Sequence, residues 1–287
     1  MKATFLHELG SAFTGLTAYL FSAFLLLFGG IYTLAYSLNM RLANFAYVLQ
    51  SLSFLYLILV PLATMRAFAE ERHQKTDQLL YALPLKTWQI VGGKYLSLVT
   101  MFFVPMVIIC LYPYIFSFYG EVYLPGAYGA IFAFFCMGAA LIAIGMFVSS
   151  LTDNQGFAAG IAIVLFLLNY YSVTLAEQVS ATALGSAFVL CVVWMLLGFV
   201  IKNVTKSMTV ALGVTAGLEA VTVAAYFITP KRFEGLVPNI MKQLSLFDRF
   251  NTFVSGIFDL TGLVFYASVI ALGLLLTVQS MEKRRYN

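Results

Sequence analysis

The chain has 287 residues, of which 62% are hydrophobic and only 10% charged, with a mean hydropathy of +0.93. A soluble domain is nearer half apolar and a quarter charged, so there are too few charges here to cover a water-facing surface, and the chain belongs in a bilayer. The formal net charge of +4 does not mark a nucleic-acid footprint, because no basic patch with interleaved aromatics occurs.

From the N-terminus, Phe5, Leu6, Leu9, Phe13 and Leu16 recur at helical spacing, with Lys2, Glu8 and Ser11 on other faces. This predicts a short amphipathic helix over residues 1–16, lying in the inner membrane interface. It does not read as a signal peptide, since Glu8 follows Lys2 and no small-residue cleavage site closes the apolar run. Eight stretches then carry no charge, or in one case a single charge: Leu9–Met40, Leu42–Met65, Tyr95–Gly120, Val122–Thr152, Asn154–Ala176, Gln178–Ile201, Ser207–Pro230 with Glu219 inside it, and Leu260–Met281. Each reaches the roughly 20 residues that a spanning helix needs. The runs are continuously apolar, without the alternation of a membrane barrel. The reading is an all-α polytopic integral membrane protein of about eight transmembrane helices, in a single domain, 1–287.

With eight spans both termini share a side. Eleven of the 16 Lys and Arg residues fall on that side and five on the other. The positive-inside rule therefore puts both ends in the cytoplasm.

Two connecting segments stand out. The cytoplasmic loop 66–93 is dense in charge through Glu70, Glu71, Arg72, Lys75 and Asp77. Thr76 can cap a short helix, with Asp77 at the positive end of its dipole. Leu79, Leu80 and Leu83 give that helix an apolar edge, and Pro84 stops it. Leucines displayed on a cytoplasmic loop call for a partner. Trp88 beside Lys86 suits an interfacial anchor. The outer segment 231–259 places Ile240, Leu244, Phe247, Val254 and Phe258 at helical spacing, with Ser245 and Asp248 as a capping box, Gly256 as a helix stop and Asp259 as a cap for the last span.

Several chemistries are missing. There is no G-x-x-x-x-G-K-[ST] phosphate loop and no G-x-S-x-G elbow. The only histidines, His7 and His73, lie outside the spans, which argues against an intramembrane metal centre. Glu219 is the one acid inside a span; it is either a coupling site for a cation or a neutral acid hydrogen-bonded to a neighbouring helix. Gly156 and Gly160 permit close helix packing, read here as intramolecular. Cys110, Cys136 and Cys191 behave as small apolar residues.

The loop resembles the cytoplasmic coupling segment of type-2 ABC transporter permeases: an acidic pair and a basic residue (Glu70, Glu71, Arg72), Thr76, Asp77, Leu79, Leu80, Leu83–Pro84, then Gly93–Lys94 opening the next span. Two further pieces, SSLTDNQ at Ser149–Gln155 and LFDRFNTFVSGIFDL at Leu246–Leu260, are similar to the gliding-motility subfamily. The family core has six spans, so the stretch 179–226 would be an inserted pair. The resemblance implies a plasma-membrane permease subunit that binds no cofactor itself. It would pair with a second permease copy or a related one and dock on an ABC ATPase dimer, which would hold the ATP and Mg²⁺; the Thr76–Leu83 helix would pass the ATPase motion to the spans. Membrane lipids are the other partners expected. A secondary transporter using Glu219 and a non-transporting membrane scaffold are the alternatives.

Overall fold

The computed structural model describes residues 1–39, 44–75, 86–178, 182–191, 194–195, 208–228 and 233–286. All regular structure among these is helical. The chain divides into two compact units, one formed by Met1–Leu168 with Arg249–Asn287, the other by Asn169–Asp248.

The first unit begins with α1 (Lys2–Thr14) and α2 (Thr17–Thr33), separated at Gly15 and Leu16; α2 continues into a π-helical turn, Leu34–Asn39. The long apolar run from Leu9 is therefore two helices. Next come α3 (Ala46–Ser53), α4 (Tyr56–Thr64) and α5 (Arg66–His73). The chain bends by 57° between Ser53 and Tyr56. The bend has a local cause: Leu55, Leu57 and Ile58 donate to carbonyls only three residues back, at 2.9–3.2 Å, and Pro61 offers no N–H to the ladder. Then follow α6 (Thr87–Ile109), α7 (Leu111–Phe116), α8 (Leu124–Leu151) and α9 (Gln155–Tyr170). The unit closes with the end of α13 (Leu246–Val254) and with α14 (Leu260–Tyr286).

Helix α8 is the centre of this unit. It is 72% buried over its most apolar window, against 22–39% for α2, α6 and α14, so those three keep most of their surface for lipid. Its glycines allow the approach: a Cβ on Gly138 would strike the ring of Phe102 at 2.6 Å, and one on Gly273 of α14 would meet the Ala143 backbone at 3.2 Å. Around Gly138 the fully buried Tyr56 stacks on Phe134 at 4.4 Å, edges against Phe102 at 5.6 Å and donates its hydroxyl to the Phe134 carbonyl at 3.2 Å. Such ring pairs contribute about 0.5–1.5 kcal/mol beyond area burial, and here they lock α3–α4, α6 and α8 together.

Four straight helices are long and apolar enough to cross a bilayer, namely Thr17–Ser37, Thr87–Phe116, Leu124–Leu151 and Leu260–Arg284. Two bent pairs, Ala46–Ser53 with Tyr56–His73 and Gln155–Tyr170 with Ser172–Gln178, bring the number to six when each pair is one span. The described residues thus hold four to six candidate spans where the sequence suggests about eight. Much of Gln178–Ile201 lies outside the described residues, and within α11 (Met208–Ile228) the apolar part, Leu212–Phe227, falls short of a full span.

The second unit contains α10 (Ser172–Gln178), the helical residues 183–191, α11, and α12 (Leu236–Leu244). The outer segment is two short helices that meet at Ser245, where the capping box places the start of the second, and Ile240, Leu244 and Phe258 are exposed. The joint is held by Asn169, whose amide donates to the Leu244 carbonyl at 3.0 Å and accepts from the Leu246 N–H at 2.9 Å. Ser245 still caps as expected, taking the Asp248 N–H at 3.1 Å.

The cap of the last span belongs to the first unit. Asp259 accepts from Thr261 N–H at 2.9 Å and Gly262 N–H at 3.1 Å. Bonds from the Thr261 hydroxyl and these N–H groups, with Arg249 adding a little, hold its carboxyl below the usual range. Gly256, at φ +83°, supplies the left-handed turn before it.

Candidate functional site

One end of the first unit gathers most of the charge in the described chain. Helix α6 does not begin at Lys94, as a reading of charges as span boundaries implies. It begins at Thr87, so Lys94 lies two turns inside it and is only 3% exposed. A buried ammonium needs partners. Lys94 Nζ donates to Glu8 Oε1 at 2.6 Å and to Glu71 Oε1 at 2.7 Å, and stands 5.4 Å from the centre of the Phe68 ring. Three helices far apart in sequence meet on this one charge: α1 through Glu8, α5 through Glu71, and α6.

The residue before it explains how α1 comes so close. A Cβ on Gly93 would overlap the Thr4 hydroxyl and lie 3.0 Å from Thr4 Cβ and 3.2 Å from the Met1 carbonyl. Glycine at 93 lets α1 lie on α6; lysine at 94 then fastens it.

The root of α5 is held from α8. Ser149 Oγ accepts from the Phe68 and Ala69 N–H groups, both at 3.2 Å, and donates to the Met65 carbonyl at 3.0 Å. It stands at the break between α4 and α5, where the orphaned backbone groups of a new helix need partners. Arg72, buried, donates to the Ser150 carbonyl. Asp153 pairs with Arg284 at 2.7 Å and lies 3.9 Å from Arg72. Arg284 also reaches the Leu151 carbonyl at 2.9 Å, and Ser280 the Ser150 carbonyl at 3.1 Å. Asn154 caps α9 through the N–H groups of Gly156 and Phe157. Ser149, the Ser150 carbonyl and Asp153 thus tie the end of α8 to α5 and α14, and Asn154 starts α9.

Of the expected site residues, Glu71 and Arg72 belong to this cluster. Glu70 is one turn behind, accepting from Gln74 at 3.4 Å. Thr76, Asp77, Leu79, Leu80, Leu83 and Pro84 lie outside the described residues; the loop leaves the cluster at Lys75 and returns at Lys86. Gly93–Lys94 was legible as the opening of a span, but not as the seat of α1 or as a partner of Glu8. The signal that joins them is the placement of a lysine well inside an apolar helix.

A family model described as ABC-2 family transporter protein matches residues 31–180, just over half of the chain. The chain belongs to that family. The matched stretch carries α5, residues 66–93 and Lys94 of this ABC-2 permease. No curated protein and no solved structure matches the chain. The family is that of transporter membrane components, and the chain is a multi-pass membrane protein.

Elsewhere the sequence candidates are plain. Among the described residues no group of three or more His, Cys, Asp and Glu could hold a metal. Gly160 has open space around it, and a Cβ on Gly156 would meet only Asn154, so neither glycine seats a neighbouring helix as was expected. Glu219 is half-buried on α11, and its carboxylate makes no hydrogen bond or ion pair to a described residue; Thr222 bonds only its carbonyl. A proton path needs polar groups in series. We therefore expect Glu219→Gln, which keeps the shape of the acid, to support export and ATPase turnover at the wild-type level. Loss of export at normal membrane abundance would restore Glu219 as a coupling site.

Proposed function

We propose that this chain is the membrane-spanning subunit of an ATP-driven exporter. Two such subunits, identical or related, form the pathway, and a separate ABC ATPase dimer docks on loop 66–93 from the cytoplasm, where both termini also lie. The ATP and Mg²⁺ are the partner's. The family match across residues 31–180 carries this reading, since it covers the loop and both helices that flank it. The cluster around Lys94 supports it physically. A push delivered to the loop arrives at α5 and α6 together, and the ion pairs to Glu8 and the bonds to Ser149 and Ser150 hand it to α1 and α8 without slack. Packed elements joined in this way move as bodies. The runs Ser149–Gln155 and Leu246–Leu260 align the chain with the gliding-motility branch of these permeases.

A tagged chain purified in mild detergent from its native membrane should bring down a vanadate-sensitive ATPase. Recovery of the chain folded and pure, with no ATPase activity above a mock preparation at any detergent tried, would overturn the reading.

A further inference from the structure

Beneath α1 lies a groove with two chemically different halves. The polar half, about 270 Å³, is lined by Glu8, Ser11, Arg66, Glu70, Lys94 and Ser97 among others. The second half, about 260 Å³, is lined by Leu16, Leu20, Phe21, Leu59 and Leu62. The halves join at Leu16, Thr17, Ala63 and Arg66, which line both. Thr17 begins one apolar helix and Arg66 follows the end of another, so the junction sits at the level where the apolar belt gives way to water.

The charges in the groove are not equivalent. Lys94 is already paired with Glu8 and Glu71. Arg66 makes no hydrogen bond or ion pair with a described residue, and its side chain stands at the junction. Glu70 follows one helical turn later on the same wall. A free guanidinium at the membrane level recognises a phosphate ester, and a carboxylate one turn further out recognises an ammonium. An apolar track leading inward from the guanidinium fits an acyl chain.

We propose that this groove binds one glycerophospholipid of the surrounding bilayer with an ethanolamine head, its phosphate on Arg66, its ammonium towards Glu70 and one chain along Leu20, Phe21, Leu59 and Leu62. Glu8 and Glu70 on the polar wall disfavour a head group that is anionic overall. Arg66 and Glu70 stand at the foot of loop 66–93, on which the ATPase is proposed to dock, but lipid retention is read on the chain without the ATPase, so failure of one reading is told apart from failure of the other.

The test is native mass spectrometry of the full-length chain in detergent, with equal amounts of palmitoyl-oleoyl phosphatidylethanolamine and phosphatidylglycerol added. The wild type should retain a single phosphatidylethanolamine. Arg66→Gln should weaken retention of that lipid about tenfold, the scale of a lost charge-assisted contact. Glu70→Gln should shift the retained lipid towards phosphatidylglycerol while keeping the phosphate contact. Leu62→Trp fills the apolar half without altering a charge and should reduce retention of both lipids. Equal retention of the two head groups by the wild type, or retention by Arg66→Gln equal to wild type in a sample with unchanged melting, overturns the proposal.

Discussion

Lys94→Met should be the most destabilising single substitution in the charged cluster. The lysine side chain is 4% exposed and holds two carboxylates, at 2.6 and 2.7 Å. Without it, Glu8 and Glu71 face one another with no cation between them. Removing one partner of a buried pair costs about 3–5 kcal/mol. Glu8 and Glu71 keep 28% and 23% of their side-chain surface in water, so partial rehydration puts the expected loss near the low end, about 3 kcal/mol. Thermal melting in detergent reads it directly. Lys94→Arg keeps the charge and should recover part of the loss. A triple change, Lys94→Met with Glu8→Gln and Glu71→Gln, leaves no charge unpaired and should recover most of it, because the penalty lies in stranded charge rather than in the absence of the bridge. If Lys94→Met melts with the wild type, α1 is held by packing at Gly93 alone.

The other large effect concerns partner binding. Leu79→Asp with Leu80→Asp should abolish co-purification of the ATPase while leaving insertion and melting intact. The basis is the sequence: Thr76 as a cap, Pro84 as a stop, and leucines displayed between them in a charged loop. Seated in a groove, each leucine contributes roughly 1.5–3 kcal/mol if fully covered. Two aspartates remove that burial and add charges that the groove would have to desolvate. The helices that flank this loop, Arg66–His73 and Thr87–Ile109, carry Glu71 and Lys94 of the cluster, so a detached loop should not unsettle the spans. A double variant that still binds and stimulates the ATPase would mean that docking occurs elsewhere.

What the sequence made legible follows one physical rule. Features set by neighbours in the chain were readable: the apolar runs, the Ser245 and Asp259 caps, the stop at Gly256. Features set by distant neighbours were not. The ion trio joins Glu8 to a lysine 86 residues away, and that pairing exists only because glycine at 93 lets α1 lie on α6. The bend between Ser53 and Tyr56 escaped because an apolar run has the same composition whether straight or broken. The tie that holds the joint at Ser245 escaped because Asn169 lies 75 residues before the Leu244 carbonyl it bonds. Charges were treated as span boundaries, which holds for exposed charges and fails for Lys94, where partners replace water.

The first unit is discontinuous, with Asn169–Asp248 interposed between its two pieces. This sets a timetable for biogenesis. The face of α8 that will receive α14, with its Ala143 backbone bared for Gly273, leaves the ribosome long before its mate. At about 5–20 residues per second, the intervening segment alone delays α14 by several seconds. Throughout that interval Asp153 awaits Arg284 and the Ser150 carbonyl awaits Ser280. A chain stalled or truncated ahead of α14 would present an open seam on its central helix, the kind of surface that membrane quality-control proteases recognise, so degradation of C-terminally shortened forms should track the loss of this one helix rather than the number of residues removed.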